Sequence, residues 1–193
     1  LGNFTCFDVE MYDSLWQISY SSGTATVEVQ GNLAAVDSRI AQGKPSGCQI
    51  IVNKNINLTD THTNIPFKSK DSIIAKGSSF AQHVTLNRQN TSVSGAQSFF
   101  SACVFTRTLA IDNEINSSPF HLTVKNCRFN STTDSEQINL IRAGHTDNVW
   151  VIEDNINVNG HGNLKQTRLH NVIMGGYTYQ MHGAKTHSWY ETW

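Results

Sequence analysis

Phe100-Ser101-Ala102-Cys103-Val104-Phe105 is answered 24 residues later by Val124-Lys125-Asn126-Cys127-Arg128-Phe129. Each opens on a large apolar residue, holds a small or polar one in third place and closes on a second large apolar one. Further copies read Ile51-Val52-Asn53-Lys54-Asn55-Ile56, Val151-Ile152-Glu153-Asp154-Asn155-Ile156 and Leu169-His170-Asn171-Val172-Ile173-Met174, with a degenerate copy from Ile74. Their first residues, 51, 74, 100, 124, 151 and 169, are 23, 26, 24, 27 and 18 apart. Self-similarity at a period of roughly 20 to 50 residues marks a stacked solenoid rather than a globule around one centre. Asn in third place, as at Asn53, Asn126 and Asn171, suits such a stack, because superposed side-chain amides hydrogen-bond along a ladder.

Composition agrees. The 193 residues fit one domain with a sizeable core. Asn is frequent, Gly numbers 13 and charged residues make up 15%; Asn and Gly form helices poorly and turns well, so the expectation is all-β. A net charge of −1 offers no basic field for nucleic acid or an anionic membrane surface. No run reaches the roughly 18 apolar residues of a span, and Leu1-Gly2-Asn3-Phe4 does not open a leader pattern. Neither membrane insertion nor nucleic acid is therefore expected. Cys6, Cys48, Cys103 and Cys127 form no CxxC unit, so neither a metal nor a cofactor is expected. Cys103 and Cys127 share a slot in successive copies, which stacking would bring to about 4.8 Å; a buried pair of thiols and a disulfide are both open. Sequons begin at Asn3, Asn57, Asn90, Asn116 and Asn130. They fit a secreted glycoprotein, and equally chance in an Asn-rich chain.

Residues 1–32 are expected to stand outside the repeat as a lead-in or neck, with one strand over Thr24 to Gln30. Asn32 can cap a short helix carrying Leu33, Ala34, Val36, Asp37 and Ile40, which ends near Gly43 with Pro45 beyond. Such a helix would cap the solenoid of residues 33–193, about six rungs by this count. From Cys48 onward, short β-rich runs alternate with Asn, Gly, Ser and Asp. A sandwich is the competing architecture, but recurrence of like residues in like slots favours parallel strands stacked into a helix.

Leu33-Ala34-Ala35-Val36-Asp37-Ser38-Arg39-Ile40, Gly43, Gln49-Ile50-Ile51-Val52-Asn53, Ile56-Asn57-Leu58 and Ile73-Ile74-Ala75-Lys76-Gly77-Ser78 together resemble the opening of pectate-lyase-like β-helices, phage tailspike proteins above all. His121 to Phe129 and Asn148 to Ile156 resemble their middle rungs, and the resemblance covers about residues 33–183. It implies a right-handed, single-stranded parallel β-helix. It further implies a homotrimer on a virion tail or outside the cell, in contact with other virion proteins, that binds and depolymerises a host cell-surface polysaccharide. A purely structural trimeric spike component and a secreted, monomeric pectin-degrading enzyme are the alternatives, since fold does not fix chemistry.

Glycoside hydrolysis needs two carboxyl groups about 5 to 9.5 Å apart. Candidate pairs are Asp112 with Glu114, Asp134 with Glu136, and Asp147 with Glu153 or Asp154. Glu153 and Asp154 lead, because a charge at 153 replaces the ladder Asn in a rung that also holds His145, Trp150 and His161. With Arg168 and Tyr177, these last three are the candidate substrate contacts. Gly160-His161-Gly162 resembles the Gly-His-Gly of polygalacturonases, whose other motifs are absent; a His in a Gly-flanked turn is the plain reading. A lyase would draw on Lys125, Arg128, Arg142, Lys165 and Arg168, which form no evident cluster, so hydrolysis is preferred. Trp150, Tyr177, Tyr179, Trp189, Tyr190 and Trp193 can stack on sugars, or else close the end of the stack and its trimer axis; for Trp150 the core is the plain reading. No closing domain is evident before Trp193, so either a longer chain or other subunits are expected to complete the stack.

Overall fold

Period-two alternation builds the elements. Ala25, Val27 and Val29 are buried with Thr26 and Glu28 between them half-buried, and Asn55–Thr59 and Val84–Arg88 repeat the pattern. A strand with one apolar face cannot bury it alone, so each stacks on its copy in the next coil. The computed structural model describes residues 3–19, 24–43, 47–88, 96–113, 120–130, 138–141, 149–153, 156–157, 163–166, 172–175 and 180–182.

Among the described residues the chain is all β, without helix, wound as a parallel solenoid of three sheets. Sheet A holds nine strands, Asn3–Cys6, Ala25–Val29, Cys48–Val52, Phe67–Ser69, Val84–Arg88, Leu109–Asn113, Ile138–Ile141, Asn163–Gln166 and Gln180–His182. Sheet B holds eight, Val9–Tyr12, Leu33–Val36, Asn55–Thr59, Ser72–Lys76, Ala96–Ser101, Phe120–Lys125, Val149–Glu153 and Val172–Gly175. Sheet C holds seven, Leu15–Ile18, Arg39–Gln42, His62–Thr63, Ser79–Phe80, Val104–Phe105, Arg128–Phe129 and Ile156–Asn157. One strand from each sheet makes a coil.

Inward residues stack like on like. Val27, Ile50, Phe67, Val84 and Leu109 form one row of sheet A, each at most 4% exposed. On sheet C, Phe105 lies between Phe80 and Phe129, centroids 5.0 Å from each with planes 12° and 9° apart, and meets the edge of Phe100 at 5.6 Å. Burying one such ring stabilises the fold by about 1.5–3 kcal/mol, and well-placed ring pairs add about 0.5–1.5 kcal/mol. Among the described residues two charged side chains are also enclosed, Asp71 and Arg88. Burial pushes the Asp71 carboxyl up and the Arg88 guanidinium down, and the opposite charge of each offsets part of that shift.

The capping helix over 33–43 is not formed. Leu33–Val36 and Arg39–Gln42 are strands of the second coil, joined through Asp37 at φ 46°, a left-handed conformation that no helix interior holds. Leu33, Ala35 and Ile40 all face the core; the turn between two short strands sets them at intervals that imitate a helical stripe. Asn32 accepts from the backbone and side-chain nitrogens of Asn55 one coil away, at 3.3 and 3.2 Å, rather than from a helix N-terminus.

The strands within 1–32 join the same sheets, Phe4 opposite Val27, Val9 opposite Leu33 and Trp16 opposite Ile40. The coil count accordingly departs from the six expected: among the described residues, seven coils contribute to all three sheets. Counting from residue 51 missed the first coils. It also missed a short one, in which Ser72 pairs with Asn55 only 17 residues back.

The six-residue copies are in register only in part. Phe100 pairs with Val124, but the neighbours above and below are Ile152 and Ala75, each one residue off the expected slot. Ile51 lies on another sheet altogether. The amide ladder runs instead at the corner between sheets A and B. There the Asn32 backbone N–H donates to Asp8 Oδ1 at 2.6 Å, Asn55 Nδ2 to Asn32 Oδ1, and Ser72 Oγ to Asn55 Oδ1 at 2.6 Å.

Candidate functional site

The three corners of the solenoid differ in how strictly they are built. Between sheets B and C each of the first six coils has two residues, as with Asp37 and Ser38 between Val36 and Arg39. The other connections run from two to seven residues (A to B) and from three to eight (C to A). The first residue of the fixed corner is left-handed in six successive coils: Asp13 (φ 43°), Asp37 (46°), Asp60 (46°), Gly77 (59°), Ala102 (53°) and Asn126 (52°). Asp, Asn and Gly enter this region at little cost.

The second residue is small and polarisable, Ser14, Ser38, Thr61, Ser78, Cys103 and Cys127, and each side chain donates to the carbonyl two residues before it. Distances run from 2.6 Å for Ser14 to 3.4 Å for Cys103. The corner amides of residues 13, 37, 60, 77 and 102 donate to carbonyls of the next coil. The backbone is thereby satisfied without the first residue's side chain, which is released for other work.

In the first three coils that side chain is a carboxylate. Asp13, Asp37 and Asp60 line an open cleft of about 470 Å³ together with Ser14, Leu15, Ser38, Arg39 and His62. Successive coils set the aspartates about 4.8 Å apart along the backbone, and the first and third about 9.6 Å. The residues that follow stack as well, Leu15 against Arg39 and Arg39 against His62. His62 Nδ1 shares a hydrogen bond of 2.6 Å with Ser79 Oγ, its sheet C neighbour. The Asp60 carboxylate leans on Gly77, where a Cβ would run into its Oδ1.

Asp8 is the useful contrast. Its Oδ1 holds the Asn32 amide and so belongs to the scaffold. Nothing in the protein among the described residues hydrogen-bonds or ion-pairs with the carboxylates of 13, 37 and 60. Among the described residues, no three His, Cys, Asp or Glu side chains converge to hold a metal ion.

The residues singled out from sequence lie elsewhere. Glu153 ends a sheet B strand opposite Lys125 and Gly175, and Trp150 stands opposite Leu122, a fully buried position, and Val172. Asp112 pairs with Asn87 and Ile141 on sheet A. The side chains of Trp150 and Glu153 fall outside the described residues, as do His145, Asp147, Asp154, His161, Arg168, Tyr177, Glu114, Asp134 and Glu136.

Sequence reading passed over Asp13, Asp37 and Asp60. Their signal is Asp13-Ser14, Asp37-Ser38 and Asp60-Thr61 at steps of 24 and 23, in segments read as a neck and a helix. Compared with known proteins, the chain matches no family model, no curated protein and no solved structure.

Proposed function

We propose that this solenoid is a spike-type element that binds an extended, uncharged glycan along the cleft between sheets B and C. One observation carries the reading: three carboxylates without internal partners, one coil apart, in an open cleft with one Arg and one His. Carboxylates accept from sugar hydroxyls, and Arg39 and His62 add donors for ring and acetamido oxygens. A stack of identical coils meets a polymer of identical units at regular intervals. Three negative charges against one fixed positive one disfavour polyuronates and other anionic chains.

Depolymerisation fits the same row, because separations of one and two coils bracket those used by retaining and inverting glycosidases. In this reading the chain works as a homotrimer on a virion or outside a cell, with its ligand a surface polysaccharide. The test pairs binding with product analysis. Neutral and acidic polysaccharides are titrated against the protein, and neutral ones are then inspected for new reducing ends. Expected are binding of a neutral polymer and a loss of at least about tenfold in Asp37→Asn, since a hydrogen bond to a charged group is worth about 1.5–3 kcal/mol. Equal affinity in Asp13→Asn, Asp37→Asn and Asp60→Asn, or preference for the polyanion, overturns the proposal.

A purely structural spike component is the second reading. It is favoured by the first coil, where Phe4, Phe7, Tyr12 and Leu15 are each at least 60% exposed. Association that is lost when Phe7 and Tyr12 become Ser, with no glycan bound by the unaltered protein, would select it.

A further inference from the structure

Cys103 and Cys127 occupy the second place of the fixed corner in adjacent coils, directly before the paired residues Val104 and Arg128. Both are 1% exposed and belong to the same buried core cluster. Parallel coils separate equivalent Cα atoms by about 4.8 Å, within the roughly 4.4–6.8 Å that a disulfide spans. The Cys103 thiol donates toward the carbonyls of Ala75 and Ser101, and the Cys127 thiol toward that of Lys125. An enclosed corner lined with carbonyls suits a neutral disulfide and opposes a charged thiolate-metal pair.

We infer that Cys103 and Cys127 are the site of an oxidative cross-link that ties two neighbouring coils together on the buried side of the corner between sheets B and C. The oxidant is a small-molecule disulfide. The exchange balances with either thiol as the attacker; with Cys103 first it takes two steps. Cys103 gives its proton to solvent and attacks one sulfur of the oxidant, whose other sulfur leaves as a thiol. Cys127 then attacks the Cys103 sulfur of the mixed disulfide, releasing the second thiol and its own proton. Two electrons pass to the oxidant and one S–S bond forms in the protein.

The remaining cysteines are placed for no such link. Cys6 pairs with Val29 and Cys48 with Ala25, so neither stacks on a thiol. The link is also not required for folding, because Ser fills the same place at 14, 38 and 78.

The full chain is refolded in a buffer of oxidised and reduced glutathione, unfolded, alkylated, and mapped without reduction. Two of its four cysteines are expected to escape alkylation, with one cross-linked peptide joining 103 to 127. The oxidised protein should melt about 5–10 °C above the reduced one, a difference absent from the Cys103→Ser, Cys127→Ser double variant. Cys6→Ser with Cys48→Ser should keep both the link and the shift. Four alkylated cysteines, a link through Cys6 or Cys48, or equal melting of oxidised and reduced wild type each overturns the inference.

Discussion

Coils one to three and coils four to six turn the same corner with the same backbone and differ in what they hang on it. The lower three place Asp13, Asp37 and Asp60 at the left-handed position; the upper three place Gly77, Ala102 and Asn126 there. Behind the corner the lower coils hold hydroxyls and the upper ones pass from Ser78 to two thiols. The inner row of sheet C changes in step, from Trp16, Ile40 and Thr63 to Phe80, Phe105 and Phe129. Since the backbone bonds are common to both halves, they do not explain the aspartates. The lower half presents groups outward, and the upper half invests in its interior.

That contrast breaks most severely at the ring stack. Phe105→Ala should cost about 3–5 kcal/mol in a denaturant melt, because the site is fully buried and rings above and below hold the cavity open. Ile40→Ala, the truncation to Ala at the matching position of the lower half, should cost about 2–5 kcal/mol. Equal losses per carbon removed would mean that the rings add nothing beyond volume.

Extending the acidic row upward is the next test. Gly77→Asp keeps a residue type that tolerates the corner but drives a Cβ into Asp60 Oδ1. A loss of about 1–3 kcal/mol is expected, and most of it should return in the Asp60→Ala background. A penalty that persists there would place the strain in the backbone instead.

Asp8→Ala should cost about 1 kcal/mol, since the Asn32 amide loses its acceptor. Asn at 13, 37 or 60 should stay within about 0.5 kcal/mol of wild type while altering glycan affinity. Comparable destabilisation at all four aspartates would make the row part of the scaffold.

Ala102→Gly should stabilise by about 1 kcal/mol, because Ala sits at φ 53° where a Cβ crowds the following carbonyl. Thermal melts of Ala102→Gly and Asn126→Gly together measure how well Asn already suits this place; the second change should be the smaller.

The stacked architecture was legible because Phe100–Phe105 and Val124–Phe129 are true copies in register. Its start was not, for a physical reason: a two-residue left-handed corner between short strands spaces Leu33, Ala35 and Ile40 much as a helix would. The ladder was misplaced for a related reason. Asn serves two corners for different ends, at Asn32 and Asn55 to hydrogen-bond from coil to coil, at Asn126 to adopt a positive φ. The cleft was hidden by looking for carboxylates close in sequence. In a solenoid the neighbours of Asp37 on the same face are 24 residues before it and 23 after it, so an Asp-Ser or Asp-Thr step repeated at the coil length carries the information.

The constancy of the B to C corner also governs how such a chain can change length. Insertions between sheets C and A or between A and B alter only the span of a surface loop, which the chain already varies from coil to coil. One residue added between Val36 and Arg39 would instead put Val36 or Ser38 where a positive φ is demanded, and would reverse which side chains of Arg39–Gln42 face inward. Growth of this protein by insertion is therefore channelled to two of its three edges, and the edge that bears the aspartates keeps its spacing.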